Sequence, residues 1–165
     1  MNMQDFLVPY IISNIFSLVL IFMCYKWLKA GKVVWGVIFF AAGAFNLFSA
    51  FTNPQIYVQA YGASAVLSFY RDFIYGAFSR YTTLFVSLIG VGQMTTAILL
   101  NVSERTFPFG ISGGIIFLLA ITPLGLGSAF PSTLLMAVSL WLLWRKWKSV
   151  KKSVSWESAE YDKKK

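Results

Sequence analysis

Histidine is absent from this 165-residue chain, and cysteine occurs once, at Cys24. The first absence removes imidazole metal sites, bis-histidine haem ligation and Ser-His or Cys-His nucleophile pairs. A lone cysteine excludes an internal disulfide and a CxxC redox pair, and Cys24 reads as an apolar packing residue near a helix end. Charge is scarce as well: Asp and Glu together number 6, and the formal charges between Lys32 and Glu104 are Arg71, Asp72 and Arg80. No phosphate loop, carboxylate pair or metal-ligand spacing is present, so the sequence assigns no catalytic residue, no metal ligand and no cofactor. An enzyme is the less favoured class.

What the chain has in abundance is apolar surface. It is 58% hydrophobic and 18% aromatic, with a mean hydropathy of +0.67, well beyond a soluble domain of this size. Apolar stretches of about twenty residues match the hydrocarbon thickness of a bilayer. The expected fold is all-α, an integral membrane bundle of five transmembrane helices spanning about 6–28, 33–51, 81–100, 107–126 and 131–147. Reading 107–147 as one helix would give roughly 60 Å at 1.5 Å per residue, twice the core thickness, and "PLGLGSAFP" supplies a turn between two spans.

The net charge of +8 does not point to nucleic acid. Arg145, Lys146, Lys148, Lys151, Lys152 and Lys163 to Lys165 all follow the last apolar run, which reads as orientation and headgroup contact. With the N-terminus outside, the inner segments carry Lys26, Lys29, Lys32, Arg105 and the basic tail 148–165, and the outer ones carry Arg71 and Arg80. The first run has its basic residues after it, the reverse of a cleavable signal peptide. The expected location is the cell membrane, multi-pass, N-terminus outside and C-terminus cytoplasmic. The tail's first part, "KSVKKSVSW", extends the last helix in this reading, and "ESAEYDKKK" is expected to be disordered.

Residues 56–79 carry the isolated charges. A spanning helix there would invert every later segment and put the basic tail outside. Its periodicity instead places Val66, Phe69, Tyr70, Phe73, Ile74 and Ala77 on one face, and Ser64, Ser68, Arg71, Asp72, Tyr75 and Ser79 on the other. The expectation is an outer-side amphipathic helix. Its polar stripe faces water or turns inward to make a pocket.

Amides inside the spans need partners, because an unbonded amide in hydrocarbon is costly. Asn14, Asn46 and Gln93 are therefore expected to face other helices. Asn46, Arg71, Asp72 and Gln93 are the candidate ligand-binding residues. Small residues at Gly36, Ala41 to Ala44, Gly90, Gly92 and the Gly110/Gly114 pair permit close helix approach.

The stretches "WGVIFFAAGAFNLFSAFTNP", "YRDF", "VGQ" and "PLGLGSAFP" give residues 33–147 a resemblance to the DoxX-like family of small membrane proteins, with 6–28 as an added helix. The resemblance implies a four-helix core and an accessory or ligand-binding role in membrane complexes, some of them quinone-linked. Two functions follow as expectations. One is a non-enzymatic accessory or assembly subunit of a membrane complex, with another membrane protein as partner. The alternative is a binder of a hydrophobic small molecule (quinone or lipid) in a bundle pocket, ahead of a small transporter or membrane enzyme.

Overall fold

The computed structural model describes the backbone of residues 3–163, and side chains from Leu7 to Ser153 apart from Leu126. Every regular element among them is helical. In chain order these are α1 (Met3–Lys26), α2 (Leu28–Thr52), α3 (Gln55–Gly62), α4 (Ser68–Phe73) with a π-helical turn Ile74–Phe78, α5 (Thr82–Val102), α6 (Phe107–Ile121) with a 3₁₀ segment Thr122–Ser128, and α7 (Ser132–Lys163). Four stretches are long and apolar enough to cross a membrane: Leu7–Lys26, Leu28–Thr52, Thr82–Val102 and Phe107–Gly125. In α7, Arg145 and Lys146 arrive after only about 20 Å of uncharged helix at 1.5 Å per residue, which keeps it out of that set.

The boundaries correct the sequence reading at three places. The first two helices meet at one extended residue, Trp27 (φ −130, ψ 104), so α2 begins five residues before the expected position 33 and takes in Lys29 and Lys32. The break is tight because Trp27 N–H still donates to Met23 O (2.8 Å) and Trp27 O still accepts from Gly31 N–H (2.9 Å). The second place is the far end, where α7 runs helical to Lys163 across the stretch expected to be disordered; its side chains from Val154 onward lie outside the described residues.

The third correction concerns 56–79, which is two short helices joined by residues 63–67 rather than one helix. Hydrogen bonding to another element wins there. Val66 N–H donates to Pro123 O (3.0 Å) in the 3₁₀ segment, and Ser64 Oγ caps α3 by donating to Ala60 O (3.0 Å). Gly125 makes the seat for this link. Its φ of +65 suits glycine, and a Cβ there would lie 2.6 Å from Ser64 O.

Helix contacts pair α2 with α5, α1 with α7, and α6 with both α5 and α7. The two ends of the bundle differ. At one end Leu20, Trp35, Phe107, Ile111, Leu140 and Leu143 pack with at most 2% of their surface exposed. At the other, α3, α4 and the π turn sit over the helix ends around a smaller buried cluster of Ala50, Ala65, Ile74, Phe78 and Val86.

Small residues set the helix spacing. A Cβ on Gly110 would meet Leu100 N at 2.8 Å, and one on Gly114 would meet Leu140 Cδ1 at 2.8 Å, so this glycine pair serves packing within the chain. Around the rest of the bundle, Ile12, Val37, Leu88, Ile98, Phe109 and Ile116 are exposed, as a lipid-facing belt requires.

Candidate functional site

Close approach of α2 and α5 creates the central polar feature. Gly43 and Gly90 face each other: a Cβ on Gly43 would lie 2.7 Å from Gly90 O, and one on Gly90 2.9 Å from Gly43 O. Three residues further along each helix stand Asn46 and Gln93, on the same face by helical periodicity. Asn46 Nδ2 donates to Gln93 Oε1 (2.6 Å), and Tyr57 Oη from α3 donates to Asn46 Oδ1 (2.5 Å). This chain of three side chains joins α3, α2 and α5. It satisfies both amide oxygens and the Asn46 nitrogen, groups that would otherwise cost roughly 1–3 kcal/mol each when buried.

The chain lies against a cavity of about 390 Å³ bounded by α2, α3, α4, the π turn, α5, α6 and the 3₁₀ segment. Such a volume falls in the usual range for small-molecule sites. Its wall is aromatic and aliphatic, including Phe45, Tyr61, Phe73, Phe78, Ile89 and Phe117, and none of the residues lining it is charged. Phe78 lies with its ring centroid 5.6 Å from Phe85 and 6.0 Å from Phe73, which holds the π turn against α5.

The cover is tied at several points. Tyr70 Oη donates to Ala120 O (2.7 Å) near the end of α6. The Arg71 guanidinium donates to Ala65 O (3.1 Å), bracing the 63–67 link. Gly62 fits beneath the Tyr75 ring, where a Cβ would come within 2.6 Å.

The four residues singled out from sequence therefore divide. Asn46 and Gln93 meet directly beside the cavity. Arg71 and Asp72 are exposed on the opposite side of α4, and neither lines the cavity. The face that turns inward is the aromatic one, through Tyr70, Phe73 and Ile74. Asn14 donates to Tyr10 O of its own helix (2.8 Å), while cross-helix bonds in that region join Ser17 Oγ to Ser132 Oγ (2.7 Å) and Ser132 Oγ to Ser13 O (3.0 Å). Thr95 and Thr96 each donate to a carbonyl of α5 itself.

Tyr57, Tyr61 and Tyr70 line the cavity, and the sequence reading selected none of them as site residues, placing Tyr70 only on the apolar face of 56–79. A usable signal was present: Tyr57 and Tyr61 are one turn apart, on the side of α3 that must meet the bundle. Burial, with Tyr57 alongside, pushes the Tyr61 phenol above its ordinary pKa, so it remains a neutral donor throughout the physiological range.

The opposite end has a different chemistry. Glu104, in the α5–α6 turn, accepts from Lys32 Nζ (2.7 Å) and from Trp147 Nε1. These two bonds hold its carboxyl below the usual carboxylate range. Lys146 Nζ donates to Tyr25 O (2.8 Å), joining α7 to the end of α1. Among the described residues no group of three or more His, Cys, Asp or Glu is placed to hold a metal ion. The chain matches no protein-family model, no curated protein and no solved structure.

Proposed function

We propose that the protein is a membrane-embedded binder of a hydrophobic small molecule, a quinone or a lipid, held in the cavity beneath α3 and α4. The observation that carries this reading is an uncharged, aromatic-walled cavity of about 390 Å³ with one hydrogen-bonded polar chain, Tyr57–Asn46–Gln93, at its wall. Apolar lining with a few convergent polar groups is the usual form of a small-molecule site. The accessory-subunit reading rests on small-residue packing, the lack of catalytic groups and the basic tail, and of the small residues Gly43, Gly90, Gly110 and Gly114 are all engaged within the chain. That leaves the cavity as the stronger ground. The DoxX-like resemblance is in keeping with it, with α2, α5, α6 and α7 as the four-helix core.

The topology we propose has five crossings, with the uncharged first half of α7 as the fifth. Its support is the seating of α7 against α1 and α6. The end bearing Lys26, Lys29, Lys32, Arg105, Arg145 and Lys146 faces the cytoplasm, by the excess of basic residues there. The amphipathic cover α3–α4 then lies at the outer interface, with Arg71 and Asp72 toward water.

Mass spectrometry of molecules retained after purification in mild detergent tests the binding reading. Wild-type protein is expected to retain one hydrophobic species, and Ile89→Trp, which places an indole in the cavity, is expected to lose most of it. Arg71→Ala with Asp72→Ala is expected to keep it. A wild-type protein that retains and takes up nothing removes the proposal.

A further inference from the structure

Hydrogen-bond direction along the polar chain limits what the cavity can accept. Tyr57 Oη donates to Asn46 Oδ1, and Asn46 Nδ2 donates to Gln93 Oε1. Both amide oxygens are therefore engaged, and the run ends on the Gln93 Nε2 donors. The Gln93 side chain is on a residue only 6% exposed, it lines the cavity, and its Nε2 bonds to no other described residue. The polar chain therefore ends on a free donor carried by a residue of the cavity wall. Tyr61 also lines the cavity; its hydroxyl makes no bond to a described residue and stays protonated because burial raises its pKa.

Resting on the binder reading above, we propose that the cavity selects a neutral ligand through an oxygen acceptor, such as a ketone, quinone or ester carbonyl, received by Gln93 Nε2 and Tyr61 Oη. A buried donor without an acceptor carries a desolvation cost, and an acceptor oxygen relieves it. A charged head group is excluded by the same wall. No lining residue carries a formal charge, and a buried ion with no counter-charge is strongly unfavourable. An alkane fills the space but leaves both donors unbonded.

The test uses the full chain in lipid nanodiscs with 2-undecanone, undecane and undecylammonium as probes, compared at equal membrane mole fraction. Native mass spectrometry reads occupancy, and infrared difference spectra read the ¹³C-labelled carbonyl. The ketone is expected to bind at least tenfold better than the alkane, with its carbonyl band moved to lower frequency, and the ammonium probe is expected not to bind. Gln93→Met is expected to bring the ketone to within about twofold of the alkane. Tyr61→Phe leaves the Asn46 bridge intact, reads the same preference should Gln93→Met not assemble, and is expected to reduce the band shift. Equal binding of ketone and alkane with an unshifted band overturns the acceptor preference and leaves an apolar binder. Binding of none of the three probes overturns the binder reading itself, and this inference with it.

Discussion

The two ends of the bundle are built from similar residues to opposite effect. At the end near Lys32 and Trp147, large side chains from α1, α2, α5, α6 and α7 interlock. Trp35 is fully buried and donates from Nε1 to Ser139 Oγ (3.2 Å). Phe107 lies beneath both Lys32 and Trp147, 4.7 Å from the lysine nitrogen and 5.4 Å from the indole centroid. At the end under α3 and α4, an equally aromatic set surrounds a void. Hydrophobicity alone thus does not decide whether a region is solid or hollow. Short helices laid over the ends of longer ones leave space beneath them, whereas helices running side by side fill theirs.

Trp35→Ala should sharpen that contrast most. It removes the largest fully buried side chain and is expected to cost about 3–5 kcal/mol, read as a fall in the midpoint of detergent or thermal unfolding. Phe78→Ala, beside the existing cavity, should stay below about 3 kcal/mol, the lower edge for aromatic truncation. Equal losses at the two positions would break the comparison, since they would mean that the capped end is packed as tightly as the other.

Gly43→Ala comes next. Its Cβ would meet Gly90 O at 2.7 Å, so α2 and α5 must separate, at an expected cost of about 1–3 kcal/mol. The same separation pulls Asn46 from Gln93, so retained ligand should fall along with stability. Gly92→Ala is the control, with nothing within 4 Å of the added carbon. A comparable loss there would show that the tight approach at Gly43 is not the cause.

Tyr70→Phe should cost about 1 kcal/mol by removing the bond to Ala120 O. Because that bond ties the cover down, hydrogen exchange in residues 63–78 is expected to rise about fivefold, with little change around Trp35. A uniform rise over the whole chain would show that the cover does not open on its own.

The smallest effect belongs to the ion pair at the closed end. Glu104 has a depressed pKa in the folded protein, so its contribution is present above the ordinary carboxylate range and is lost as pH falls through the depressed value. The carboxylate is 65% exposed, so the contribution should be under about 1 kcal/mol. Stability measured between pH 6 and pH 3 should decline slightly less in Glu104→Gln than in the wild type. An identical decline in the two proteins would show that the pairing with Lys32 and Trp147 contributes nothing.

Much of this arrangement is legible along the chain because bilayer physics acts locally. The apolar runs, their lengths and the turn at "PLGLGSAFP" follow from hydrophobicity and from glycine and proline chemistry, and the helices appear close to where those signals put them. Asn46 and Gln93 stood out because an amide in hydrocarbon demands a partner. That they would bond to each other was not legible, since it depends on Gly43 and Gly90 meeting across two helices far apart in sequence. Arg71 and Asp72 drew attention by their isolation, yet isolation measures the rarity of charge and not its direction.

The break in 56–79 shows the same division. Its residues carry a helical period, and by propensity alone they favour one helix. The Val66 bond to Pro123, the seat provided by Gly125 and the anchor of Tyr70 on Ala120 come from a segment 50 or more residues away, and together they outweigh the local preference. Sequence by itself therefore determined the apolar helices, the concentration of basic residues toward one end and the absence of histidine chemistry, because each is a property of residues or short runs. Tertiary structure decided which face of α4 turns inward, which polar groups meet and where a void remains, because those depend on how helix axes approach one another, and no single helix carries that information.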